Sequence, residues 1–203
     1  DVDIDMVAGP SEILIVADKN ARADFIAADL LSQAEHDESA YPILITDSLD
    51  LAAKVVLELD NIKKSLDRSE IIDKCLQKNC FCFVVRDIEE GMDIANRIAP
   101  EHLELMVENP GTLLEKVKNA GAIFLGNYTP EAVGDYAAGP NHVLPTGGTA
   151  RFSSPLGVYD FIKRSSLISF PEKNFRDIAS IVKDIANVEG LTAHAKAVEI
   201  RIK

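Results

Sequence analysis

Apolar and polar residues follow one another along the chain in blocks that predict strands and helices in turn. Short apolar or extended runs predict five strands, at 12–17, 42–46, 80–85, 103–107 and 122–125. Apolar residues at helical spacing predict helices between them, at 21–35, 49–59, 71–78, 87–98 and 113–119. Such alternation predicts an α/β fold: a mostly parallel, Rossmann-like sheet with flanking helices. In such sheets ligands bind outside the carboxyl ends of the strands.

The pattern changes after about residue 153. The sequence there predicts a helix at 156–163, a short strand at 167–170, and two helices around Gly190, at 175–187 and from 191 to the end. These helices are too few to form a core alone. We therefore predict two parts, an α/β domain at 1–152 and a mainly helical C-terminal tail at 153–203 that packs on something else, such as another subunit.

Residues 1–6 alternate polar and apolar side chains like a strand already under way. A cap, turn or loop is expected before such a segment. The expectation is therefore that the chain is a fragment whose upstream part is missing.

Charge and composition narrow the possible partners. The net charge of −12 argues against nucleic acid, because phosphate binding needs clustered Lys and Arg. No apolar run approaches the ~20 residues of a membrane span. The three cysteines are odd in number, which favours reduced thiols and a cytoplasmic protein. Cys80 and Cys82 fall on one strand face, where core packing is favoured over a metal site.

The stretch 138–148 carries the strongest sign of a functional site. It is rich in Gly and Pro yet contains Val143 and Leu144, and it follows Asp135 and Tyr136. A loop of this kind predicts the wall of a site that places His142 beside Asp135.

Gln33 and His36 are three residues apart, which puts both on one helix face. With Asp135 and His194 they offer enough nitrogen and oxygen ligands for a divalent ion such as zinc. Spacing alone favours a polar pair on a solvated helix face over a metal site.

Glu101 and His102 follow Pro100, which ends the preceding helix. Adjacent residues on an extended segment point to opposite sides, so these two would serve separate acid–base tasks rather than form a simple dyad. Without further information a solvated turn is the simpler interpretation, and Ser11 is equally simply a turn cap. No strand is followed by the Gly-x-Gly-x-x-Gly pattern of dinucleotide binding.

Taken together, six segments in order resemble the histidinol dehydrogenase family. They cover essentially the whole chain and correspond to the later, C-terminal half of that enzyme. The segments are 5–12, 31–36, 99–104, 133–136, 139–145 and 189–194.

The resemblance implies an NAD-dependent, zinc-containing homodimer that oxidises L-histidinol to L-histidine through L-histidinaldehyde, the last step of histidine biosynthesis. In the family, NAD is held largely by the earlier half, so no cofactor-binding residue is assigned. By this resemblance, 1–152 is a metal- and substrate-binding domain of a larger multidomain enzyme. The change of pattern after about residue 153 and the few helices of the tail further predict that 153–203 is exchanged between the two subunits.

The resemblance also implies roles for particular residues. His102 is the general base for the alcohol proton, and Glu101 activates the water that hydrates the aldehyde. The zinc ligands, which also meet the substrate, are Gln33, His36, Asp135 and His194. The further substrate contacts are Ser11, Tyr136, His142 and Glu189, together with His102.

Two other functions remain open at this point. One is a non-catalytic metal-binding fragment that lacks the cofactor half. The other, a zinc-dependent hydrolase, is disfavoured because the sequence has no HExxH-like pair.

Overall fold

The computed structural model describes residues 4–202, in two compact units, Asp1–Phe161 and Ile162–Lys203. The first unit is built on a five-stranded parallel sheet of order β3-β2-β1-β4-β5. Its strands are β1 Glu12–Ala17, β2 Tyr41–Thr46, β3 Phe81–Val84, β4 His102–Met106 and β5 Ala122–Leu125. The predicted α/β fold with a parallel sheet is confirmed.

Helices connect the strands of this unit. They are α1 Ala23–Ala34, α2 Leu49–Ile62, α3 Ser69–Asn79, α4 Ile88–Ile98 and α5 Glu131–Tyr136. Alternate residues of β1 face opposite layers: Ile13 and Ile15 pack with α1, α2 and α3, whereas Leu14 and Val16 pack with α4. Because both faces are covered, β1 is buried along its whole length and reads as a continuous apolar run.

Capping residues fix where two of these helices begin. The Ser48 side chain accepts the Leu51 N–H over 3.2 Å, and the Asp87 side chain accepts the Glu90 N–H over 2.9 Å. Helix α4 ends at Ala99, which is buried and has a left-handed backbone with φ of 57°. The chain then turns through Pro100 into β4.

Four local features of this part of the chain differ from the predictions. The helix expected at 113–119 is a 3-10 segment at Pro110–Lys116, and that expected at 156–163 shrinks to a 3-10 segment at Val158–Phe161. Helix α5 was not predicted, because one and a half turns give too few apolar positions to show a period. Residues 4–6 form no strand, and residues 1–3 lie outside the described range.

The cysteines are free, as expected, but their environment was predicted wrongly. Cys80 is half-buried, and Cys82 is exposed on β3. The reason is that β3 is an edge strand, and all four of its residues are exposed.

The second unit contains two helices, α6 Glu172–Val188 and α7 Thr192–Glu199, which pack against each other. Both were predicted, and Gly190 between them has the positive φ of 73° that suits a residue just beyond a helix end. The strand predicted at 167–170 is absent, because this segment finds no neighbouring strand and is exposed. No helix within residues 4–202 combines the length and apolar character needed to cross a bilayer.

Candidate functional site

The polar groups of the first unit gather at the amino ends of β1 and β4. Glu12 begins β1, His102 begins β4, and the register pairs Ile13 with His102, so these chain ends lie side by side. The general rule that ligands bind at carboxyl ends is therefore wrong for this cluster. Helices α1 and α5 run back along the sheet and return their last residues to its amino edge.

Glu12 and Glu101 hold each other through exchanged hydrogen bonds. The Glu12 N–H donates to Oε2 of Glu101 over 2.9 Å, and the Glu101 N–H donates to Oε2 of Glu12 over 3.2 Å. The other oxygen of Glu12, Oε1, accepts the Gly147 N–H over 2.9 Å. One buried carboxyl group therefore joins two strand ends and the end of the 138–148 loop.

His102 is held in one tautomer. Its Nδ1 lies 2.8 Å from the backbone oxygen of Glu12, which can only accept, so the ring proton sits on Nδ1. Burial lowers the pKa of His102, against the opposing effects of the Glu12 hydrogen bond and the Asp135 charge, and the nearby His36 adds to the lowering. The ring is therefore neutral, and its Nε2 is buried without a hydrogen-bond partner in residues 4–202.

Glu101 is the adjoining acid. Burial, with the negative charges of Glu12 and Asp135, raises the pKa of Glu101 to about 7. Its Oε2 lies 3.5 Å from Nδ1 of His102, but the Nδ1 hydrogen bond goes to Glu12. The two neighbouring side chains are thus independent groups rather than a hydrogen-bonded dyad.

A second carboxyl pair, on helix α5, faces His102. Ligand atoms of His102, Glu131 and Asp135 lie within 4.8 Å of one another, with 4.0 Å between Nε2 of His102 and Oε1 of Glu131. Burial, a hydrogen bond to Asp135 and the charge of Asp135 raise the pKa of Glu131 to about 8. The Glu131–Asp135 pair therefore retains a proton near neutral pH, and a cation placed among these groups would displace it.

Helix α5 lies this close to the sheet because residue 134 is glycine. A Cβ on Gly134 would lie 2.7 Å from Cε1 of Phe124, which is too short for two carbon atoms, so only the hydrogen atom of a glycine fits there. The Phe124 ring lies beside the His102 ring, with 5.9 Å between ring centroids. The next residue after Gly134 is Asp135, so this contact sets the distance from Asp135 to His102.

Glu104 supports helix α5 from inside the sheet. Its Oε1 accepts the N–H of Glu131 over 2.8 Å, at the first residue of the helix. Burial and the neighbouring Asp29 carboxyl raise the pKa of Glu104 well above its ordinary value, and burial raises that of Asp29 to about 6. Sequence reasoning missed both residues, because neither the strand residue Glu104 nor the helix residue Asp29 shows its burial before the neighbouring elements are known.

Gln33 and His36 approach the same edge from helix α1. Gln33 is 1% exposed, and its Oε1 has no hydrogen-bond partner among the described residues. His36 follows the helix end, is exposed, and lies close enough to His102 to affect its pKa. A buried acceptor without a partner, an imidazole and the Asp135 carboxylate are the donor types that zinc accepts, so these residues fit the metal.

The remaining predicted contacts of the first unit are more open. His142 and Asp135 line one cavity of about 270 Å³, together with Phe124. Ser11 precedes β1, and its backbone oxygen accepts the Tyr41 N–H over 2.9 Å. Tyr136 is 85% exposed.

The last two predicted residues belong to the second unit. Glu189 caps the end of α6, and His194 lies on α7; both are exposed. Their roles as substrate contact and zinc ligand remain predictions.

Comparison with known proteins gives one consistent answer. The family model described as histidinol dehydrogenase matches residues 1–202. The chain is 56% identical to histidinol dehydrogenase from Aquifex aeolicus over 200 residues, which is 98% of this chain and 47% of that protein. It is 54% identical to the Bacillus cereus enzyme over 202 residues, 100% of this chain and 47% of that protein.

A solved structure agrees in fold. The crystal structure of histidinol dehydrogenase from Elizabethkingia anophelis matches with a TM-score of 0.95 and 39% identity, over 99% of this chain and 46% of that one. The chain therefore spans about half the length of the relatives it matches.

Proposed function

The chain belongs to the histidinol dehydrogenase family, and from this premise we propose that it supplies the metal- and substrate-binding half of an enzyme that oxidises L-histidinol to L-histidine. The observation that carries the proposal is the neutral His102, whose buried Nε2 has no partner and lies beside Glu101, Glu131 and Asp135. Oxidation of an alcohol needs a base that is unprotonated at neutral pH, and this nitrogen meets that need.

His102 acts in the alcohol step. Its Nε2 accepts the hydroxyl proton of histidinol as the carbon loses a hydride and becomes the aldehyde. The Nδ1 hydrogen bond to Glu12 keeps the proton on the far nitrogen, so the accepting lone pair is always on Nε2.

Glu101 acts in the aldehyde step. Adding water to the aldehyde needs a group that can take a proton from that water, and a carboxylate with a pKa of about 7 is suited to this task near neutral pH. Two adjacent groups with different partners thereby serve two successive reactions.

A zinc ion fits this edge of the sheet. Gln33, His36 and Asp135 would hold it in this unit, and family membership adds His194 as the fourth ligand. The chemistry the ion would supply when bound is a template role, in which it would orient the imidazole and amine of histidinol. Ser11, Tyr136, His142 and Glu189 complete the proposed substrate contacts.

NAD is the proposed hydride acceptor on family membership alone. No strand within residues 4–202 is followed by a Gly-x-Gly-x-x-Gly turn, so this part of the chain offers no such cradle, and we assign NAD no contacts. We further propose a cytoplasmic homodimer in which residues 153–203 are exchanged between subunits, with 1–152 as the metal- and substrate-binding domain.

The test is turnover by the intact enzyme supplied with L-histidinol and NAD. We expect two NADH per histidine formed, and loss of turnover in His102→Asn. Zinc binding without turnover would instead support a non-catalytic metal-binding protein.

A further inference from the structure

Glu12 contacts both members of the acid–base pair, and we propose that it is a positioning residue for Glu101 and His102. This inference rests on the proposed function, because it assigns Glu12 a role in placing the groups of that reaction. Glu12 itself is 9% exposed and lies behind the pair, at the first position of β1.

The backbone of Glu12 holds the two side chains that perform the chemistry. Its N–H donates to Oε2 of Glu101 over 2.9 Å, and its oxygen accepts Nδ1 of His102 over 2.8 Å. The first bond leaves Oε1 of Glu101 to meet water, and the second leaves Nε2 of His102 to meet the alcohol. The backbone of Glu12 therefore orients both side chains, and with them Oε1 of Glu101 and Nε2 of His102.

The Glu12 side chain holds the backbone of the same pair. Its Oε2 accepts the buried Glu101 N–H over 3.2 Å. Two hydrogen bonds therefore join the residues, each from the backbone N–H of one to the side-chain carboxyl of the other. Removing the carboxyl would leave the Glu101 N–H buried without a partner and would free the start of β4 to shift. A shift of about 1 Å in catalytic groups can lower a rate roughly 10²-fold.

The other carboxyl oxygen reaches a third segment. Oε1 of Glu12 accepts the N–H of Gly147 over 2.9 Å. Gly147 has φ of 61° and ends the loop that carries His142, a proposed substrate contact. Glu12 thus ties the acid–base pair and a substrate-binding loop to the same point of the sheet.

Hydrogen exchange tests the contacts themselves. In the intact enzyme, residue-resolved amide exchange should show that Glu12→Ala lowers the protection of the Glu101 and Gly147 amides by roughly ten- to hundredfold, the range for a lost bond to a charged acceptor. The Gly126 amide, which donates to the backbone oxygen of Leu105 over 3.0 Å at the far end of β4, should stay protected and report that the sheet is intact. Unchanged protection at both amides would overturn the proposal.

Kinetics separate positioning from a purely structural role. Glu12→Ala should lower kcat roughly 10²-fold for both alcohol and aldehyde oxidation, with zinc content near wild type and a smaller change in the KM for histidinol from the released 138–148 loop. Glu12→Gln keeps one acceptor oxygen and should recover part of this loss. Glu89→Gln, an exposed position outside the site, is the matched control and should leave both rates unchanged.

The outcomes are distinct. The proposal is rejected if Glu12→Gln lowers only the thermal stability and leaves both kcat values unchanged, because Glu12 would then have a purely structural role. If Glu12→Ala does not fold, the Glu12→Gln variant alone decides the question. If the wild-type enzyme fails to oxidise histidinol, the proposed function fails, whereas the exchange result still decides whether Glu12 holds the two segments.

Discussion

Nδ1 of His102 donates to the backbone oxygen of Glu12 across 2.8 Å, while Nε2 on the other side of the ring has no partner within residues 4–202. The acceptor is a backbone oxygen, so no side-chain substitution at Glu12 removes it. The bond depends instead on the pairing of β1 with β4. The lowered pKa of His102 keeps the ring neutral. His102 is thus a neutral imidazole of fixed orientation.

The first prediction separates the two steps of the reaction. Glu101→Gln should impair oxidation of the aldehyde more than oxidation of the alcohol, because the amide cannot take a proton from water. His102→Asn should impair alcohol oxidation as well. Losses of ~10²–10⁴-fold are expected for single acid–base groups. Assays started from histidinol and from histidinaldehyde check this, and equal losses in both steps for both variants would contradict the assignment.

The second prediction concerns stability and pH. The folded state raises the pKa of Glu101 from 4.5 to about 7, so it binds this proton more tightly than the unfolded state does. Stability from this group is therefore full below about pH 4.5 and is lost as pH rises through about 7, a change of about 3 kcal/mol.

Glu101→Gln should remove much of that dependence, since the amide stays neutral. Denaturant unfolding of the metal-free protein at pH 5 and pH 8 gives the comparison. Glu89→Gln serves as the exposed control and should follow the wild type. An equal pH dependence in wild type and Glu101→Gln would show that Glu101 is not a protonated buried acid.

The third prediction is a stoichiometric zinc-class ion held by Gln33, His36 and Asp135. His36→Ala should lose the ion, because removing a ligand weakens a site severely. His142→Ala, a histidine outside the ligand set, should retain it. Elemental analysis of protein purified without chelator gives the answer, and full metal content in His36→Ala would remove this residue from the site.

The fourth prediction tests how helix α5 reaches the site. Gly134→Ala places a methyl group against the Phe124 ring and should cost about 1–3 kcal/mol as helix and ring move apart. Zinc affinity should fall with it, because Asp135 moves with the helix. In the Phe124→Leu background the same substitution should cost less. Denaturant unfolding of the two single variants and the double variant gives the coupling free energy between positions 134 and 124, and zinc titration gives the affinity of each variant. Additive effects of the two substitutions would show that this contact does not set the position of α5.

The fifth prediction is that His194 and Glu189 serve the site of the partner subunit. In the intact enzyme, inactive His194→Ala and His36→Ala subunits are mixed and allowed to exchange. If the ligands come from different chains, each heterodimer has one complete site and recovers activity toward half the wild-type value. Heterodimers that form but remain inactive would place His194 in the site of its own subunit.

The sequence predicted the sheet well because each strand is a short apolar run between clear helix starts. Strand β1 matches its predicted bounds, and helix α4 begins one residue after its predicted start at Asp87. The predictions failed where local pattern carries little information. Residues 131–136 form a helix too short to show a period, and its packing of Gly134 on Phe124 is invisible in sequence.

The sequence singles out residue types for a candidate site but does not show where they lie. Glu101 and His102 stand out as a polar pair at a strand start, and the structure brings Asp135 to them. The support from Glu12 and Glu104 was missed, because a glutamate in a strand looks solvent-exposed until the strand pairing is known. Their burial follows from parallel neighbours and helices on both faces of the sheet.

Ala99 carries a consequence for changes of chain length. Its left-handed backbone ends α4, and Pro100 prevents the helix from continuing, so the distance along the chain from the buried Met92 to His102 is fixed. One inserted residue in α4 would rotate the face that carries Met92 by about 100° relative to this junction. Either the apolar face or the start of β4 would then be out of place. Between Asp87 and His102, insertions and deletions should therefore be tolerated far less than substitutions.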